Sequence, residues 1–125
     1  MVGTAESLSL PDKSVELLIY GFCLYLCDRD DLFRITGQAH RVLKPQSWLA
    51  ILDFWSPHQR TNVNHHRSGI DSYKDDLPRM FSWHPSYVIT DHCLRHHSNL
   101  THTDDPHEWI AATLLRGCDF VFRQE

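Results

Sequence analysis

Two apolar runs with one helical repeat between them constrain this chain more than any other feature. The stretch Trp48-Leu49-Ala50-Ile51-Leu52-Asp53-Phe54-Trp55 is almost continuously apolar, the pattern of a strand covered on both faces. Upstream, Val15-Glu16-Leu17-Leu18-Ile19-Tyr20 is a second short apolar run with β-branched members, and it comes directly after the turn-forming residues from Leu8 to Ser14. Between the runs, Asp28, Asp30 and Asp31 offer a cap and complement a helix dipole. Leu32, Ile35, Ala39, Val42 and Leu43 then recur at steps of three and four, which predicts one amphipathic helix ending before Pro45. Gly37 in its interior costs about 1 kcal/mol relative to Ala, too little to overturn the pattern. Strand, helix, strand is a crossover unit. Such units close right-handed, so the two strands are expected to lie parallel with the helix over one face.

The second half is less regular. From Ser56 to Pro85 the pattern dissolves into Pro, His, Asn, Arg, Ser and Gly with scattered aromatics, too long for a plain connector and expected to be a lid or substrate loop. Tyr87 to Leu94 reads as a strand. Asp104 to Arg116 carries conflicting signals. Asp105, Pro106 and Glu108 resemble a helix start and Gly117 a helix stop, while Trp109 to Leu115 reads equally as a buried strand; local signals alone lean to helix. With no internal repeat and no linker, a single domain is expected, with a core over 1–55, a loop over 56–86 and a strand pair over 87–125.

Composition narrows the partners. The formal charge is −4 and no basic run occurs, so neither nucleic acid nor an anionic membrane is an expected partner. No apolar stretch reaches the roughly 20 residues that span a bilayer, and Met1 is not followed by a secretory pattern, so a soluble, cytoplasmic chain is expected. The four cysteines, Cys23, Cys27, Cys93 and Cys118, are irregularly spaced and read as small apolar packers rather than a disulfide framework.

The stretch from Gly3 to Leu18, Gly-Thr-Ala-Glu-Ser-Leu-Ser-Leu-Pro-Asp-Lys-Ser-Val-Glu-Leu-Leu, resembles the "G-D-A-E-x-L-P-F-x-D-x-S-F-D-x-V" passage of class I S-adenosylmethionine-dependent methyltransferases of the type 11 kind. Further on, Arg41-Val42-Leu43-Lys44-Pro45-Gln46-Ser47-Trp48-Leu49 is similar to that family's "R-V-L-K-P-G-G-x-L". The match is close from Val2 to Trp55 and loose beyond. The resemblance implies an α/β fold, a partial Rossmann-like sheet in which this chain supplies the family's strands 4, 5, 7 and 6, with strand 7 antiparallel and strands 1 to 3 missing. It also makes Trp109 to Arg116 a strand, against the local helix signal. The G-x-G-x-G turn and the ribose-binding acidic residue of the family belong to the missing strands, and the five glycines of this chain are all isolated. Thr4 stands where an Asp is usual, Glu16 for an Asp, and Gln46-Ser47 for Gly-Gly.

The function that the resemblance implies is methyl transfer from S-adenosyl-L-methionine to an unknown acceptor, with the isolated 125 residues expected to lack the grip on the cofactor. The alternative is a non-catalytic module that pairs through the exposed edge of its first strand, with self-association as one outcome. By family position, Thr4, Ala5 and Glu6 lie near adenine, while Tyr20, Gly21 and Tyr25 border the methionine end; core packing is the competing role for the tyrosines. Asp53, at the carboxyl end of its strand, is the residue expected to touch substrate, as a base or as a cap of the next turn. Tyr73, Trp83 and His84 are expected to line an acceptor pocket or to anchor the loop. The ten histidines raise a metal question. His65-His66 and His96-His97 are adjacent pairs, which on a strand point to opposite faces, and His92 with Cys93 or His96 has no second half at zinc spacing, so no metal site is expected.

Overall fold

The structure, a computed structural model, describes residues 4–58, 60–63 and 71–118. Strand β1 spans Val15–Gly21 and β2 spans Leu43–Phe54, with helix α1 over Leu32–Val42 between them. The two strands are parallel, paired from Leu17 with Trp48 to Gly21 with Leu52. β2 begins five residues earlier than its apolar run, because the register steps between the Val15–Leu43 and Leu17–Trp48 pairs and the irregularity absorbs Lys44 to Ser47. That is how a proline is tolerated inside the strand.

Helix α1 is preceded by a 3-10 turn, Arg29–Asp31, in which the Asp28 side chain accepts from the Asp30 N–H at 3.1 Å. It ends where Leu43 turns extended, and its last turn holds His40 and Arg41, which suit the negative end of the helix dipole. Arg41 also donates to the Leu8 and Leu10 carbonyls, at 2.8 and 2.6 Å, and pairs with Asp12 at 2.9 Å. One guanidinium thus fastens the lead-in segment to the helix. The apolar stripe, Ile35, Ala39 and Val42, is fully buried, and Ile35 and Ala39 share one core with Tyr20, Leu49, Ile51 and Leu115 of the sheet.

Four strands make the main sheet, in the order β1-β2-β6-β5. β5 covers Tyr87–His96 and β6 covers Trp109–Gly117, and β6 runs antiparallel to both of its neighbours. The local helix signal before Trp109 survives only as a 3-10 turn, Pro106–Glu108, with Asp105 accepting from the His107 N–H at 3.0 Å. From Trp109 on, two flanking strands offer backbone partners along the whole length, and Ile110, Ala111, Thr113 and Leu115 are buried. Pairing on both sides outweighs propensity.

The stretch from Ser56 to Pro85, expected to be a lid or substrate loop, has secondary structure of its own. It contains an antiparallel hairpin, β3 (Arg60–Val63) with β4 (Asp71–Lys74), and a single turn of helix, α2 (Arg79–Ser82). Leu77 and Phe81 are buried in the core. A single turn has no periodicity to read, so nothing in the sequence marked it. The neck of this excursion is closed by the Ser56 N–H on the Asp75 carbonyl at 3.3 Å and by the Trp55 indole on the Asp76 carboxylate at 3.1 Å.

Helices α1 and α2 cover one face of the sheet. On the opposite face Leu17 and Ile19 are 52% and 62% exposed and Trp48 is partly open, with the Arg116 guanidinium 4.6 Å above its ring. Among the described residues β1 pairs on one side only. None of the described helices is long and apolar enough to cross a membrane.

Candidate functional site

The carboxyl ends of β1 and β2 lie side by side, and the chain leaving β1 folds back across them. Phe22 takes a left-handed φ of 50°, and its N–H donates to the Leu52 carbonyl at 2.7 Å. A non-glycine residue in that conformation is strained and persists only where its surroundings impose it. Directly after it comes a 3-10 turn, Leu24–Leu26, which Asp53 holds in place. One Asp53 oxygen accepts from the N–H groups of Leu24 at 3.0 Å and Tyr25 at 3.2 Å, and the other from Phe54 at 2.8 Å. Asp53 is 2% exposed, and burial pushes its carboxyl up to about 6 despite the backbone donors. Arg29 secures the far end of the turn by donating to the Leu24 and Cys27 carbonyls, and it reaches Asp75 at 3.6 Å.

Above this rim, Phe54 packs edge-on against Phe22 (5.5 Å) and Tyr25 (4.9 Å). Below it, the Tyr20 ring stacks at 6.4 Å on Phe81, and its buried hydroxyl has no partner among the described residues. Burial raises the Tyr20 hydroxyl and the Cys23 thiol, and pushes the Cys27 thiol up to about 12. Such thiols stay protonated at neutral pH and pack as apolar groups.

Of the residues singled out from sequence, Glu6, Gly21, Tyr25 and Asp53 converge on this rim. Glu6 is half-buried, and its charge contributes to raising both the Cys23 and Cys27 thiols. Gly21 ends β1, and a Cβ built on it meets no atom of the described residues within 4 Å. Ala5 packs against the core, and Thr4 is exposed, its carbonyl accepting from the Ser7 N–H at 3.1 Å. Tyr20 points into the core. Tyr73 falls on β4, which runs beside the Leu24–Leu26 turn, but its side chain lies outside the described residues.

Trp83 and His84 are not part of this group. Trp83 is exposed and donates to the Met80 carbonyl, and His84 packs on His40 and Tyr87, where β5 begins. That is the opposite end of the strands from Asp53. A cavity of about 200 Å³ lies there too, lined by His40, Lys44, Ser47, Tyr87 and Cys118 among others.

Sequence reasoning missed three features of the rim: the aromatic pair Phe22 and Phe54, the brace from Arg29, and the convergence of His96, His97 and Glu108. Phe54 belongs to the apolar run of β2 and was legible as its end; the other two carry no local signal. The opposite-faces argument for His96 and His97 fails because His96 is the last residue of β5 and His97 opens the turn, where strand alternation stops. His65 and His66 lie outside the described residues.

No protein-family model matches the chain, and no curated protein does. Solved structures do. The chain aligns with an S-adenosylmethionine-dependent methyltransferase of Methanosarcina mazei at a TM-score of 0.72 and 14% identity, over 94% of this chain and 66% of that one. It aligns with the 1,6-didemethyltoxoflavin-N1-methyltransferase of Burkholderia thailandensis, solved with 1,6-didemethyltoxoflavin and S-adenosylhomocysteine, at 0.68 and 14%, over 92% and 48%. A third likeness, at 0.67 and 14% over 100% and 62%, is to a complex between the Haloferax volcanii Trm112 methyltransferase activator and a methyltransferase. The chain therefore carries, in part, the fold of class I S-adenosylmethionine-dependent methyltransferases. It spans about half to two thirds of the length of these structures.

Proposed function

We propose that this chain is the acceptor-side portion of an S-adenosylmethionine-dependent methyltransferase, in which Thr4 to Glu6, Gly21 and Tyr25 border the cofactor and the hairpin β3–β4 shapes the acceptor pocket. The observation that carries this reading is the rim itself: parallel β1 and β2 end together, and the turn after β1 is pinned over them by a buried carboxylate. Ligands of open α/β sheets bind beyond the carboxyl ends of the strands. Methyl transfer needs an in-line approach of acceptor to sulfonium in a dry pocket, and orientation supplies much of its acceleration. In this reading Asp53 positions Tyr25 rather than taking a proton from the acceptor, because both of its oxygens already hold backbone N–H groups. Tyr25 and Phe54 form the apolar wall.

The glycine-rich turn and the ribose-binding carboxylate that hold the cofactor in this fold have no counterpart in these 125 residues. Calorimetric titration of the chain with S-adenosylhomocysteine is therefore expected to give no binding up to millimolar concentration. Micromolar affinity would overturn the division of labour proposed here. A second reading, a non-catalytic module that pairs through β1, is favoured by one observation, the β1 edge that is unpaired among the described residues, with Leu17 and Ile19 exposed beside it.

A further inference from the structure

We propose that His96, His97 and Glu108 form a divalent-metal site, suited to zinc, on the rim where β5 hands over to β6. Glu108 Oε2 lies 3.2 Å from His96 Nε2 and 2.5 Å from His97 Nε2, and the two imidazoles stack at 4.8 Å with 16° between their planes. The three donor atoms lie within 4.8 Å of one another. Zinc holds His nitrogen and carboxylate oxygen at about 2.0–2.2 Å, which in a tetrahedron separates neighbouring donors by about 3.3 Å. His96 and Glu108 already stand at that spacing; the His97 ring, stacked on His96, has to swing out of the stack so that its donor moves from within 4.8 Å of the other two to about 3.3 Å from each.

The backbone under these side chains is held on several sides. His97 N–H donates to the Glu108 carbonyl at 2.9 Å, His96 N–H to the Thr101 carbonyl at 2.8 Å, and His96 pairs with Trp109 in the β5–β6 ladder. Two nitrogens and one carboxylate oxygen suit zinc, whereas calcium and magnesium prefer all-oxygen cages. Three protein ligands leave a fourth position for water or for an oxygen or nitrogen of a bound molecule. The side chains are 25%, 41% and 35% exposed, so a metal can reach them.

The partners of the other imidazole nitrogens set the affinity. Ser98 Oγ lies 3.1 Å from His97 Nδ1 and can accept its proton, which leaves the Nε2 lone pair for the metal. The Ser98 N–H, by contrast, donates to His96 Nδ1 at 3.0 Å. Metal on Nε2 puts the remaining ring proton on Nδ1, so that contact has to open. The site is therefore weaker than one with a full set of acceptors behind it. The cluster adjoins the aromatic wall of the candidate site, since Phe54 lies 6.3 Å from His97 and 4.9 Å from Tyr25.

Chelator-treated chain titrated with zinc chloride by calorimetry, and with cobalt(II) followed by visible absorption, tests this. One equivalent is expected to bind with a dissociation constant of about 10 µM or tighter. Glu108→Gln, which keeps a hydrogen-bond acceptor for both imidazoles, and His97→Ala are each expected to weaken it at least about tenfold. His102→Ala, in the separate His102–Asp104 pair, is expected to leave it unchanged. No binding tighter than about 100 µM, or equal affinity in all three variants, would overturn the proposal and leave the cluster a hydrogen-bonded clamp.

Discussion

Asp53 stands in an apolar strand where one of its carboxylate oxygens serves two N–H groups of the neighbouring turn, those of Leu24 and Tyr25. Burial nevertheless raises it from 3.8 to about 6. A raised carboxyl means that the folded chain binds the proton more tightly than the unfolded one. The contribution of this group to stability is therefore greatest below pH 4 and falls, by about 3 kcal/mol in all, as pH rises through 6. Asp53→Asn keeps an acceptor for Leu24 and Tyr25 but cannot titrate, so urea unfolding at pH 4.5 and 7 should show a smaller loss of stability in the variant than in the parent. Equal losses would mean that the pH dependence comes from other groups. The position of Asp53 at a strand end was readable in sequence. Its partners were not, since they lie 28 and 29 residues away.

At the scale of elements, α1 is the clearest case of local and global signals agreeing. Its stripe of Ile35, Ala39 and Val42 is the stripe that the three- and four-residue spacing marked. Gly37 faces open space, since a Cβ built there meets nothing within 4 Å. Gly37→Ala is accordingly expected to stabilise the chain by about 0.5–1 kcal/mol, a rise of about 2–4 °C in the thermal midpoint. An unchanged or lowered midpoint in a scanning calorimeter would show that the helix is strained in a way the packing does not reveal. Gly117 differs, because a Cβ there would come within 2.5 Å of the buried Ser47 hydroxyl. β6 shows the converse of α1. Its residues permit helix or strand, and only the presence of β2 on one side and β5 on the other decides between them.

For the whole molecule, the sheet is covered on one face and open on the other. Leu17 and Ile19 are exposed beside an edge of β1 that is unpaired among the described residues, the surface through which the second functional reading has the chain pair. Light scattering behind a sizing column is expected to show concentration-dependent association of the parent, and Leu17→Lys with Ile19→Lys is expected to return it to monomer. A parent that stays monomeric at every concentration would exclude self-pairing and leave the second functional reading only a different chain as partner. The strand-helix-strand unit, its parallel sense and the stripe of α1 were settled by sequence, because period and handedness are local properties of the chain. The strand state of Trp109 to Arg116 followed from the family resemblance against the local helix signal, whereas the hairpin after β2, the burial of Leu77 and Phe81 and the meeting of His96, His97 and Glu108 were decided only in three dimensions. Each depends on partners distant in sequence or on a turn too short to leave a repeat.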